Sequence, residues 1–522
     1  MFVIFSLTAV LLLTLPWLNP LAAGPSPAVQ PWLISLASGA VLILMACLPK
    51  QTHPSTSVHP TNRQKASHKW WQVVALAWLG AGILSSAVSL LQYFGQADLF
   101  IPWISSAKLG EAYANLRQRN QFASLTNIAL VAVLALLVGT GLANRRLLAR
   151  LAWAAAALLA IGNAASSSRT GLMQLLLVCG LFCMWGYWRN RQVRNVLLLS
   201  VFAYALAMVA LPWLAGADLS MQGMLARLRV GDSVCASRIT LWSNVLHLIA
   251  QKPWLGWGWG ELDYAHYITL YDGARFCDIL DNAHNLPLHL AVELGVPVAL
   301  VVCGALVWWV CSQRPWRERQ PARQLAWAVL ALIGLHSLLE YPLWYGPFQM
   351  AVGLCVYLLW RDPREAAETI KTAKYASNRA IAPILWSFFA MVIIAFCCYA
   401  AWDYRRVSQI YLATEARDAA YRDDTLAKIQ GSRLFRSQVL FAELSLTPLT
   451  PNNAQWSFDT ASALLHFSPE TKVIEKLIES ATMLGDDQTA LFHLARFRAA
   501  FPQDYQKWSG LNKQPNVQLQ KL

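Results

Sequence analysis

An all-α, polytopic membrane fold is predicted by three observations on this 522-residue sequence. Hydrophobic residues make up 56%, charged residues only 13%, and apolar runs of spanning length recur along most of the chain. A soluble core of this size needs more charge outside, and the mean hydropathy of +0.38 places the chain among multi-span membrane proteins. The formal net charge of +14 resembles a nucleic-acid signal until its distribution is read. Lys and Arg fall in short clusters between apolar runs, so they report topology, and membrane lipid rather than nucleic acid is the expected partner.

Apolar runs of roughly 17 to 25 residues lie at 2–18, 32–48, 70–94, 122–143, 147–165, 170–188, 195–214, 286–311, 325–339, 346–360 and 381–402. They predict about eleven transmembrane helices. The connection 19–31 carries no Lys or Arg, whereas 50–69, Arg145-Arg146-Arg150, Arg189-Arg191-Arg194, Arg314-Arg317-Arg319-Arg323 and 361–379 are basic. Basic connections stay inside, so the N-terminus is expected inside and the C-terminus outside. Segments 95–121, 165–169, 215–283 and 340–345 then face outward.

The expected organisation is N-terminal transmembrane helices at 1–164, a central portion at 165–360 containing the long outer loop 215–283, a connection and last span at 361–402, and an outer helical domain at 403–522. Leu21-Ala22-Ala23-Gly24 after the first apolar run is similar to a signal cleavage site. Residues 1–7 carry no Lys or Arg, so a retained first span is expected, and cleavage would leave the remaining sidedness unchanged. In the last domain Phe467-Ser468-Pro469-Glu470 returns as Phe501-Pro502-Gln503-Asp504, close to the roughly 34-residue period of tetratricopeptide (TPR-like) hairpins. Helices at 473–484 and 488–500, turning at Gly485-Asp486-Asp487, are expected to form either a partner surface or a cap.

Eight of the ten cysteines lie in apolar runs, where Cys behaves as a small hydrophobe. Cys235 and Cys277 instead share the outer loop, and a disulfide between them is open if that loop faces an oxidising compartment.

Chemistry is sought on the outer face. Asp281-Asn282-Ala283-His284-Asn285 stands at the front edge of the 286–311 run. His284 exchanges a proton near neutral pH, and Asn282 and Asn285 can orient it or hydrogen-bond a sugar; a locally satisfied structural histidine is the competing reading. Arg169 follows Ser166-Ser167-Ser168, and Arg238 opens the amphipathic stretch 237–250. A guanidinium grips phosphate in bidentate fashion without losing its proton; an interface anchor at Arg169 and a surface ion pair at Arg238 are the alternatives. Trp254-Leu255-Gly256-Trp257-Gly258-Trp259-Gly260-Glu261 offers Trp257 and its neighbours either for sugar stacking or as an interfacial belt, with glycines that permit close backbone approach. His284 and His289 are five residues apart, which fits no H-E-x-x-H site, so no metal is expected.

Taken in order, Ser168-Arg169-Thr170-Gly171, Ser237-Arg238 with Trp242, Pro253-Trp254-Leu255-Gly256-Trp257-Gly258, Ala283-His284-Asn285 and Glu293-Leu294-Gly295 resemble the bacterial O-antigen ligase and polymerase superfamily. The resemblance covers roughly 165–353, which makes 165–360 the expected catalytic core. Asn120-Gln121-Phe122-Ala123, His336-Ser337-Leu338-Leu339-Glu340-Tyr341-Pro342-Leu343 and the helical tail are similar to one branch, the protein O-oligosaccharyltransferases that glycosylate pilins and other exported proteins. Arg119 departs from that branch, which often places proline before the asparagine.

The resemblance implies a multi-pass enzyme of the bacterial inner membrane with its site and C-terminal domain in the periplasm. It implies transfer of a preassembled glycan from an undecaprenyl-diphosphate carrier to a Ser or Thr hydroxyl of an acceptor protein, without cofactor or metal. Arg169 and Arg238 would hold the diphosphate, and His284 would act as general base or bind the departing phosphate. Asn120 and Gln121 are candidates for sugar or acceptor contact. Glu340 and Tyr341 would orient His284 or the acceptor, or Glu340 would pair with an outer arginine; Glu293 is expected to stabilise helix packing. Ligation to lipid A-core and glycan polymerisation remain the enzyme alternatives. A transporter would spread polar groups through several mid-span positions, whereas these collect at one face.

Overall fold

The computed structural model describes residues 2–20, 24–48, 70–140, 146–216, 233–360 and 381–512. The basic connections 50–69 and 361–379, the cleavage-like 21–23 and the first part of the outer loop, 217–232, lie outside the described residues. Every described regular element is helical. Among the described residues seven helices are long and apolar enough to cross a membrane, and shorter apolar helices accompany them, so the chain is a multi-pass membrane protein. It divides into two compact units: Met1–Gly231 with Trp309–Ala401, and Asp232–Trp308 with Trp402–Leu522.

The first unit contains α1 Phe2–Leu18, α2 Val29–Cys47, α3 Trp70–Tyr93, α4 Arg119–Gly139, α5 Arg146–Ala165, α6 Arg169–Met184 and α7 Arg191–Leu214. Helix α4 is its axis: all side chains from Gln121 to Leu137 are buried, and α3, α5 and α6 pack on it. Small residues allow this close approach, the usual way helices associate where lipid removes the hydrophobic drive. A Cβ on Gly82 would fall 2.4 Å from Ala129 Cβ, and one on Gly171 would fall 2.6 Å from Ala123 Cβ.

The second unit begins with α8 Arg238–Gln251, α9 Leu262–Ile268 and α10 Leu286–Leu294, and includes the start of α11 Val296–Gln313. The expected span 286–311 is therefore corrected: the run is two helices, broken at Gly295, whose φ of 90° no L side chain adopts easily. Only the second piece is a candidate span. Its sole buried residue is Ala299, as suits a helix apolar all round and facing lipid.

Back in the first unit, α12 Pro321–Ser337 and α13 Gly346–Trp360 pack together, and α12 also lies on α4. Helix α14 Ile381–Ser408 leads to α15 Thr425–Ile429, α16 Arg436–Leu446, α17 Ala454–Leu465, α18 Thr471–Met483, α19 Asp487–Ala500 and α20 Pro502–Asn512. The expected hairpin is α18 and α19, with Gly485 at φ 78° and the Asp486 carboxylate accepting from Thr489 N at 3.0 Å to cap α19. Val473, Ile474, Leu477 and Ile478 share one buried face and enclose Tyr267 of α9. The outer loop and the C-terminal helices, assigned to different portions from sequence, thus share one core.

Candidate functional site

His284 sits immediately before α10 in the left-handed region, φ 51°. Three side chains fix this segment. Asn285 caps α10, its Oδ1 accepting from Leu288 N at 3.1 Å; Asn282 Oδ1 accepts from His284 N at 2.9 Å; Trp242 Nε1 donates to Ala283 O at 3.1 Å. Trp242 is one turn beyond Arg238 on α8, so the helix face carrying Arg238 is the face laid against the His284 segment. Asn282 is 3% exposed, and its Nδ2 has no hydrogen-bond acceptor in the structure. A buried unmatched donor costs about 1–3 kcal/mol, so something arriving beside His284 gains by supplying an acceptor.

The aromatic and glycine motif explains why α10 ends where it does. Trp257 N donates to Val292 O at 2.8 Å, Gly258 N to Glu293 O at 3.0 Å and Val296 N to Pro253 O at 2.8 Å. The first two satisfy carbonyls that the C-terminus of α10 leaves open, and the third satisfies the N–H of the first residue of α11. A Cβ on Gly256 would lie 2.3 Å from Glu293 O, and one on Gly295 would lie 2.2 Å from Trp254 O. The two glycines are therefore one contact seen from both sides. Trp257 is half-buried, with its indole donating to Leu248 O at 3.0 Å and Lys252 Nζ 4.0 Å above its ring. Its ring thus braces α8.

The disulfide Cys235–Cys277, Cα atoms 5.2 Å apart, ties the approach to α8 to the far side of the loop. Ser237 Oγ accepts from Thr240 N at 3.2 Å and caps α8. Arg238 is consequently the first residue of its helix.

The same design recurs in the first unit. Ser168 Oγ accepts from Gly171 N at 2.9 Å, so Arg169 is the first residue of α6. Both arginines therefore combine a permanent cation with the positive end of a helix dipole. Ser168 Oγ also donates to Asn120 Oδ1 at 2.6 Å, and Asn120 Nδ2 donates to Glu340 Oε1 at 3.2 Å. Three distant motifs meet at Asn120. Below them Gly171 O accepts from Asn127 and Asn163, each at 3.1 Å, and Ser124 bridges Gln174 and His336.

Gln121 is 3% exposed and buried within the α4 bundle, and Tyr341 stacks on Tyr345 at 6.1 Å. The hub role of Ser168 was not singled out from sequence. Its signal was present as a Ser three residues before a helical Gly.

Burial dominates the electrostatics around the loop. It pushes the Asp263 carboxyl up to about 7, aided by the negative charges of Asp281 and Glu261. His289 is held at about 4 by burial and by His284, while burial raises Glu293 to about 7. His289 Nε2 and Glu293 Oε2 lie 3.5 Å apart along one face of α10, where burial disfavours the charged form of each. Among the described residues no group of three or more His, Cys, Asp or Glu is placed to hold a metal.

Comparison with known families places names on these motifs. Residues 112–137 match the family model described as Protein glycosylation ligase, residues 154–303 that described as O-Antigen ligase, and residues 324–515 that described as Virulence factor membrane-bound polymerase, C-terminal. A General O-oligosaccharyltransferase of Acinetobacter baylyi (strain ATCC 33305 / BD413 / ADP1) is 25% identical over 303 residues, covering 55% of this chain and 50% of that relative. A ComP-specific O-oligosaccharyltransferase of the same strain is 26% identical over 274 residues, covering 52% and 48%. The chain spans about half the length of these curated relatives. No solved structure matches. These matches agree with the resemblance read from the ordered motifs: residues 154–303 are similar to the O-Antigen ligase family and residues 112–137 to the Protein glycosylation ligase family.

Proposed function

We propose that this protein is an O-linked oligosaccharyltransferase of a bacterial inner membrane. It moves a preassembled glycan from an undecaprenyl-diphosphate carrier to a Ser or Thr hydroxyl of an exported protein such as pilin, on the periplasmic side. The observation that carries this reading is the Asn282–His284–Asn285 segment, held in a left-handed turn beside an unmatched amide donor and against the helix face of Arg238. The acceptor hydroxyl attacks the anomeric carbon, the bond from that carbon to the diphosphate oxygen breaks, and the leaving diphosphate keeps the electron pair. His284 takes the hydroxyl proton, or in the second form of the reading holds the departing phosphate.

Arg169 and Arg238, each at a helix N-terminus, are assigned to the diphosphate charge that develops as this bond breaks. Asn120, Gln121, Glu340 and Tyr341 of the first unit, and Asn282, Asn285 and Trp257 of the second, are candidates for donor, acceptor or positioning contacts. No metal enters this scheme. Transfer to lipid A-core is the second reading, favoured by the O-antigen ligase match at 154–303.

The deciding experiment reconstitutes the intact protein with lipid-linked glycan and offers pilin and lipid A-core side by side. Glycosylated pilin is expected, and His284→Ala and Arg238→Ala should each lower its rate by about 100-fold or more while the protein remains membrane-inserted. If only lipid A-core is modified, the protein-acceptor reading fails; if both variants stay active, the residue assignment fails.

A further inference from the structure

Leu255 is the most exposed large hydrophobic side chain among the described residues, at 85%, and its neighbour Trp254 is 76% exposed. They form the tip of a turn whose backbone is tightly held, so their exposure is built in. Pro253 O accepts from Val296 N at 2.8 Å, and Trp257 N bonds to Val292 O on the other side of the tip. Gly256 and Gly295 bring the two backbones together so closely that neither tolerates a Cβ.

Val296 is also where α11 starts, and α11 is a candidate membrane span. Its first turns display Leu300 and Val301 at 68% and 71% exposure. The tip is therefore fastened to the first residue of a lipid-facing helix and continues that helix's apolar surface. We propose that Trp254 and Leu255 are a membrane wedge that enters the bilayer beside the first turn of α11.

A lipid surface fits better than a glycan, because Leu255 offers a sugar neither a ring to stack on nor a hydrogen bond. Lys252, exposed two residues before Trp254 and lying over the Trp257 ring, supplies a cation at the edge of the wedge, where phosphate headgroups lie. One geometric consequence concerns the site. Helix α10 has nine residues, spans about 14 Å and joins the His284 segment to the contact that holds the wedge. The wedge stands without the transferase reading, and its test measures no product.

The test attaches a nitrobenzoxadiazole probe to Leu255→Cys in the full-length protein in phospholipid nanodiscs, with Trp254→Cys as a second site and Asp272→Cys as a solvent-facing control. The labelled unsubstituted chain provides the blank for native thiols. At both wedge positions the emission should shift to the blue. Nitroxide (doxyl) phospholipids should then quench it by more than about half, and most strongly with the nitroxide high on the acyl chain, because interfacial segments sit ~5–10 Å into the boundary. The Asp272→Cys probe should show neither effect. Emission at the wedge equal to the control overturns the proposal; a blue shift that doxyl lipid does not quench also overturns it, and assigns the tip to a second copy of the chain or another protein.

Discussion

Asn120 shows how a residue near the surface acquires a structural meaning that its type does not announce. It accepts from Ser168 and donates to Glu340, joining three stretches of chain through one amide. Glu340 is 7% exposed, so removing its oxygens strands the Asn120 donor. Glu340→Ala is expected to cost about 1–3 kcal/mol in thermal unfolding, whereas Glu340→Gln keeps an acceptor and should stay close to the parent. Equal losses in both variants would mean that charge, not this bond, is what matters. The motifs were visible in the sequence, but their meeting point was not, because 220 residues separate Asn120 from Glu340 and periodicity does not encode such pairings.

At the scale of elements, the break between α10 and α11 was hidden inside one uninterrupted apolar run. Hydropathy averages over Gly295, whereas its φ of 90° and the Trp254 carbonyl against it end the helix there. The sequence did reveal that the glycines around Trp257 needed close backbone approach; what they approach became visible only when α10 was placed. Gly295→Ala should destabilise the protein by about 1–3 kcal/mol from backbone strain alone, and by more once the clash is included. Gly304 of α11 has nothing within 4 Å of a built Cβ, so Gly304→Ala should be neutral or slightly stabilising. Parallel thermal unfolding of the two variants checks the contrast.

For the molecule as a whole, the outer loop and the C-terminal helices share a core, and titratable groups lie at that contact. Tyr267 Oη meets His493 Nδ1 at 3.1 Å, His466 stacks on Tyr264 at 3.9 Å, and Arg496 Nε donates to Ile268 O at 2.7 Å. Burial, with Arg496 beside it, lowers His493 to about 4, below the roughly 6.5 of a free imidazole. Between those values the unfolded chain binds more protons. The stability that neutral His493 contributes is therefore complete above about pH 6.5 and is lost as the pH falls towards 4. Asp263, raised to about 7, has the opposite sign: its contribution is present in acid and lost as the pH rises through 7. Between pH 6.5 and 4 the two contributions oppose each other, so the check is made against the parent: on acidification through that range His493→Gln should gain melting temperature relative to it. Above pH 7 Asp263→Asn should melt higher than the parent. An unchanged acid slope in His493→Gln would remove this residue from the account.

The sequence by itself determined the all-helical membrane character, most helix positions and the order of the polar motifs, because all three follow from local composition and periodicity. The structure adds the caps at Ser168, Ser237 and Asn285 that fix where three of these helices start. Only the tertiary structure decided that Ser168, Asn120 and Glu340 form one chain of bonds, that Gly256 and Gly295 are two sides of a single contact, and that the loop helix α9 is enclosed by the C-terminal helices. Each of these joins residues far apart in sequence through packing and hydrogen-bond geometry. No local pattern records such a join.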